Sequence, residues 1–143
     1  MKRMQRGFTL IEVLITVVIV GILTAVAVPA YSDYVLRGRL TDAFTALGGV
    51  QPVAEQYWAN GRTYDTQAGS AFPLPRDTAN FTYALSNAGV SSYTVTATGR
   101  AKMSGFVFTI DQNGTRATTA APDGWGTSTS CWVDHKGGAC STN

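Results

Sequence analysis

A chain of 143 residues fits one domain, and with 45% hydrophobic and only 14% charged residues it is apolar enough to bury a core or enter a membrane. Its formal charge of +2 is concentrated at one end, because Lys2, Arg3 and Arg6 lie in the first seven residues and the remainder carries eight basic against nine acidic groups. That balance excludes a body-wide electrostatic footprint for nucleic acid and confines any such contact to a local patch.

The chain opens on the short cationic head MKRMQRG and continues as FTLIEVLITVVIVGILTAVAVPAYSD. From Val13 to Ser32 no residue is charged, a run that spans roughly 30 Å as a helix and matches the hydrocarbon thickness of a bilayer. A positive head with no comparable charge just beyond the run places the N-terminus in the cytoplasm and the body outside. Two alternatives share these features. One is a secretory signal peptide cut after Ala27, since Ala25-Val26-Ala27 has the small-residue form of a cleavage site; Glu12 opposes it, because a carboxylate costs about 2.5–3.5 kcal/mol in the centre of an inserting segment and less near its edge. The other is a plain single-span anchor in which Glu12 reaches back to the interface.

Gly7-Phe8-Thr9-Leu10-Ile11-Glu12 closely resembles the G-F-T-L-x-E processing signature of type IV prepilins and pseudopilins. The resemblance implies cleavage after Gly7 by a prepilin peptidase and N-methylation of Phe8, so that the chain is that enzyme's substrate and not itself an enzyme. It implies residues 1–7 as leader, residues 8–33 as the helix of the inner membrane and then of the filament core, and residues 34–143 as a periplasmic globular domain. It also implies a subunit-assembly role for Glu12, whose carboxylate needs a cationic partner in a packed apolar bundle and would find one in the α-amino group of a neighbouring Phe8. The implied partners are other pilin subunits, the peptidase and the inner-membrane assembly machinery. Gly21 and Pro29 fit the same family, in which the helix between such residues loosens on entering the filament; Pro29 lacks a backbone donor and crowds the preceding turn, which a plain kink would explain equally well.

Beyond Pro29, Leu40, Ala43, Phe44, Leu47, Ala54 and Tyr57 fall at helical spacing and predict one apolar stripe. Gly48-Gly49 and Pro52 predict a bend, and Ala59-Asn60-Gly61-Arg62 a stop. A helix from Phe8 to Trp58 would run roughly 75 Å, so its apolar half is expected to protrude. An irregular loop follows through Ala79. Three segments then alternate in hydrophobicity and predict half-buried strands: Phe81 to Leu85, Tyr93 to Ala97 and Phe106 to Ile110. Gln112-Asn113-Gly114 predicts a hairpin returning through Thr115 to Thr119. The expected fold class is α+β, a long helix on an antiparallel sheet of three to four strands.

Cys131 and Cys140 are the only two cysteines, and an even count in an exported chain predicts a disulfide. With His135 as the sole histidine, metal binding is the weaker reading. A long helix, a four-stranded sheet and a C-terminal disulfide-bounded loop are the architecture of type IV pilins. Gly61-Arg62-Thr63-Tyr64, Gly124-Trp125 and Ser130-Cys131-Trp132 resemble the PilE-type minor pilins in particular. Nothing in the sequence assembles a catalytic constellation or calls for a cofactor. Trp125 and Trp132 are expected either to form an interaction surface or to cap the core.

The expected function is a type IV pilus subunit, within or at the tip of the filament, serving pilus assembly, adhesion, twitching motility or DNA uptake. Two alternatives are retained. A type II secretion pseudopilin of the major kind would carry a C-terminal calcium loop in place of the disulfide, and the sequence there lacks an acidic ligand cluster. A pilus-borne DNA receptor would use Arg100, Lys102, Arg116 and Lys136 with a tryptophan for stacking.

Overall fold

A computed structural model of the protein describes residues 7–66 and 71–141. The basic residues of the cationic head, at positions 2, 3 and 6, lie outside the described residues. Backbone contacts divide the chain into two compact units, Met1–Val35 and Leu36–Asn143.

The first helix, α1, runs from Leu10 to Gly48. Its first half is dense in valine and isoleucine, which are mediocre helix formers in water. In hydrocarbon the ranking loses its force, because a helix satisfies every backbone polar group within the segment. The helix passes Gly21 and Pro29 without interruption. Pro29 does remove the donor that would otherwise serve the Ala25 carbonyl.

The bend expected at Gly48-Gly49 amounts to one irregular residue: Gly49 keeps right-handed angles, φ −76° and ψ −12°, and its N–H still donates to the Thr45 carbonyl at 3.1 Å. Gly49 separates α1 from α2, Val50–Gly61. The second helix ends where Arg62 turns left-handed at φ 55° and its N–H closes on the Trp58 carbonyl, a C-terminal cap in the αL manner.

Among the described residues, β1 (Phe81–Ser86), β2 (Thr94–Gly99), β3 (Val107–Asp111) and β4 (Arg116–Ala120) form an antiparallel meander in the order β1-β2-β3-β4. Each of the last three begins one residue later than the alternation predicts, and Tyr93 and Phe106 sit just outside the strands yet are buried. The β2–β3 link folds tightly enough that a side chain at Gly99 would collide with the Met103 carbonyl. The β3–β4 hairpin is organised by Asp111, whose Oδ1 accepts the N–H groups of Asn113 and Thr115, each at 2.9 Å. This Asx-type turn explains why the hairpin closes there.

The inward rows of the sheet carry Phe81, Tyr83, Val95, Ala97, Phe108 and Ile110, all buried. They pack with Leu40, Ala43 and Leu47 of α1 and Val50 and Ala54 of α2 in one hydrophobic core. Phe44 and Tyr57, the other members of the apolar stripe, are half-buried against it. Burial first, with Tyr64, Glu55 and Asp111 adding, pushes the Tyr93 phenol up to about 12, so it serves the core as a neutral aromatic. The outward rows are threonine-rich, with Thr82, Thr96, Thr98 and Thr109 at neighbouring positions.

Candidate functional site

At the N-terminus, residues 7–9 are non-helical and α1 begins at Leu10. Thr9 is the N-cap. Its carbonyl accepts the N–H of Val13 at 3.2 Å, and its Oγ accepts the N–H of Glu12 at 3.3 Å. The Glu12 carboxylate in turn accepts the N–H and the hydroxyl of Thr9, both at 3.4 Å. Thr9-Leu10-Ile11-Glu12 is therefore a reciprocal capping box, a pattern the S/T-x-x-E spacing could have revealed.

Beyond it the helix is apolar on every side: Leu14, Val17, Val18, Ile22 and Leu23 are all more than half exposed. A helix hydrophobic all round belongs in a membrane or a packed bundle. Its length and the hydropathy of its most apolar stretch make it long and apolar enough to cross a bilayer. Its hydroxyls are satisfied within the helix, Thr16 donating to the Glu12 carbonyl at 2.7 Å and Thr24 to the Val20 carbonyl at 2.6 Å.

At the other end, Cys131 and Cys140 are bonded. Thr118 of β4, 1% exposed, fastens this segment to the sheet. Its Oγ donates to the Cys131 carbonyl at 3.0 Å and accepts the Val133 N–H at 2.8 Å. Its backbone exchanges two bonds with Ser128. Burial raises the Asp134 carboxyl, but hydrogen bonds from Ser141 and His135 outweigh it and leave the group below the usual carboxylate range. Replacing Cys131 and Cys140 by serine is expected to cost about 2–3 kcal/mol, read as a lower urea midpoint. An unchanged midpoint would mean that the Thr118 bonds alone hold the loop.

Of the two readings of the tryptophans, an interaction surface or a cap on the core, the structure has them in the core. Trp125 and Trp132 are only 4% and 6% exposed. Trp125 meets Phe106 edge to face at 5.0 Å. Trp132 stacks on Phe44 at 5.4 Å, and its Nε1–H donates to the Thr109 carbonyl at 2.8 Å. The physical reason is the large apolar area of indole combined with one polar atom that has found a partner. The Arg116 guanidinium lies 4.7 Å from the Trp132 ring centre, facing a shallow cleft it shares with Ser130, Asp134 and Ser141. A guanidinium so stacked keeps its N–H edges free to receive a carboxylate or phosphate.

Of the four cations considered for nucleic acid, three lie on loops at one end of the sheet. Arg100 and Lys102 are exposed on the β2–β3 link. Lys136 is exposed within the disulfide loop, where the neighbouring Gly137 N–H donates to the Gly124 carbonyl at 2.8 Å. Gly124 follows β4 closely, Pro122 sits against Gly105, and Trp125 lies on Phe106, so these loops share the end of the sheet where β2 finishes and β3 starts. Arg116 stands near the opposite, hairpin end. A further cationic aromatic pair went unforeseen: Arg62 lies 5.1 Å from the ring centre of Trp58, whose Nε1–H donates to the Val90 carbonyl. Their i, i+4 spacing at the end of a helix was the available signal.

Comparison with known proteins finds one match in the apolar N-terminal segment and another over most of the remainder. Residues 2–28 match the prokaryotic N-terminal methylation motif. Residues 29–131 match the family described as type IV minor pilin ComP, DNA uptake sequence receptor. The chain is 45% identical over 60 residues to the fimbrial protein EcpC of Eikenella corrodens, covering 42% of this chain and 39% of that protein. It is 42% identical over 76 residues to a type IV major pilin PilE1 of Neisseria gonorrhoeae, covering 51% and 46%. The chain thus spans less than half the length of these curated relatives. Among solved structures, the non-core minor pilin PilV of Neisseria meningitidis superposes with a TM-score of 0.54 at 21% identity, covering 64% of this chain and 93% of that one, which bears on the fold alone. Since the ComP match takes in well over half of the residues, the chain belongs to the type IV pilins, in the ComP minor-pilin family.

Proposed function

We propose that the protein is a minor subunit of a type IV pilus, cleaved after Gly7, methylated at Phe8, held in the inner membrane by α1 and then assembled through α1 into a filament at the cell surface. The observation that carries this reading is a helix apolar on every side behind one carboxylate, Glu12. Such a helix needs apolar neighbours, and such a carboxylate needs a cation among them. The α-ammonium of Phe8 on an adjacent subunit meets that need. Gly21 and Pro29 would supply the weak stretch where the helix loosens during assembly. The role is structural rather than enzymatic, and the disulfide-bounded C-terminus supports the pilus over a secretion pseudopilus.

Expression of the full chain with and without a prepilin peptidase tests it. The expected product begins at methylated Phe8 only when the peptidase is present, and its intact mass is two hydrogens light for the disulfide. Cleavage after Ala27 would make the protein a soluble exported domain, and an uncut chain would leave a membrane-anchored one.

Within that role, we propose that the globular unit receives DNA. The ComP match supports this reading, as does the position at one end of the sheet of the loops that carry Arg100, Lys102 and Lys136. Tryptophan stacking, as first expected, is not part of it, because Trp125 and Trp132 are enclosed. The contact is electrostatic, made by loops to phosphate.

A further inference from the structure

Where a helix begins decides which carbonyls are free. Were α1 to start one turn earlier, the Gly7 carbonyl would accept the N–H of Ile11 and the Gly7–Phe8 bond would be wound into the helix. Instead the Val13 N–H bonds the Thr9 carbonyl, Thr9 and Glu12 close on each other, residues 7–9 are non-helical, and Phe8 is 84% exposed. Among the described residues, none comes within 4 Å of a side chain placed at Gly7. Hydrolysis at this bond adds water across it, giving Gly7 a carboxylate and Phe8 a protonated amine. That new positive charge lands beside the positive pole of α1, where the first-turn carboxylate of Glu12 offsets it.

We propose that Thr9 is a positioning residue for leader removal: as N-cap it stops the helix two residues past the scissile bond and holds Gly7–Phe8 as open chain for the peptidase. Glu12 completes the cap from within the helix and is released from it only when a neighbouring amine competes for its carboxylate. The inference rests on the processing site proposed above.

The full chain, expressed in bacterial membranes with a prepilin peptidase, tests it through the rate at which product beginning at Phe8 appears. Thr9→Val keeps the shape and loses the cap. Thr9→Ser keeps the hydroxyl, Thr9→Asn caps well with a different shape, and Glu12→Gln keeps a capping acceptor without the charge. The expected result is about fivefold slower processing for Thr9→Val, with the other three within about twofold of the parent chain. A parent rate for Thr9→Val overturns the inference. So does slow processing of Thr9→Asn, which would show the peptidase reading the hydroxyl directly, or of Glu12→Gln, which would make charge the determinant. Failure of the parent chain to be cut at this bond removes the processing site itself, a different result from any of these.

Discussion

Replacing Trp132 by alanine is expected to destabilise the globular unit by about 3–5 kcal/mol. Three contacts end together: the stack on Phe44, the hydrogen bond to the Thr109 carbonyl, and the platform beneath Arg116. Phe44 also meets Phe108 edge to face at 5.1 Å, so the loss reaches the centre of the sheet. Trp132→Phe keeps an aromatic face and gives up the indole N–H, leaving a carbonyl short of a donor. Its cost should fall near 1–3 kcal/mol, about the penalty of one unpaired buried polar group. Urea unfolding of a fragment beginning near Tyr31 measures both. A midpoint for Trp132→Ala within experimental scatter of the parent would show that the ring only covers the core and does not hold it together.

This tryptophan also marks the boundary of what the sequence makes legible. The apolar stripe from Leu40 to Tyr57 and the alternation in three segments are periodic signals, and they place the helix, the sheet and the face each presents. The Gly48-Gly49 pair announces an irregularity but not how slight it is, since Gly49 keeps right-handed angles and its bond to the Thr45 carbonyl. The strand starts shift by one residue because Tyr93 and Phe106 are buried from positions just outside the ladder. Burial and pairing are separate quantities, and an alternating pattern reports only the first.

The C-terminal segment was hardest to read, having no period at all. Its disulfide is announced by an even cysteine count in an exported chain and by the pilin resemblance, while Thr118, which fastens it, is an ordinary strand threonine in the sequence. Sequence spacing was equally uninformative about the cations. Arg100 and Lys102 lie 34 or more residues from Lys136 along the chain, and only the meander with its returning tail brings their loops to one end. The capping box was legible from Thr9-Leu10-Ile11-Glu12 in principle, but the same residues also spell a processing signature, and one reading hid the other.

Binding of DNA by the fragment beginning near Tyr31 is expected to be strongly salt-dependent. Each neutralised phosphate contributes a slope of about −0.9 in log affinity against log salt, so three or four contacts weaken binding about 40- to 150-fold between about 50 and 200 mM salt. Arg100, Lys102 and Lys136 are the first candidates, and each replacement by glutamine should reduce the slope by about one. Arg116 differs from them because its guanidinium is stacked on Trp132; its replacement should also lower stability, which the unfolding midpoint separates from loss of contact. Arg37, exposed on α1, is the control whose replacement leaves the slope unchanged. A triple glutamine variant with the parent slope would move the interface elsewhere on the domain. Absence of salt-sensitive binding at low ionic strength would remove the receptor role and leave the family membership untouched, since that rests on the match over residues 29–131. The net charge beyond the first seven residues is slightly negative, so salt-sensitive binding, if observed, requires a local patch rather than a general attraction.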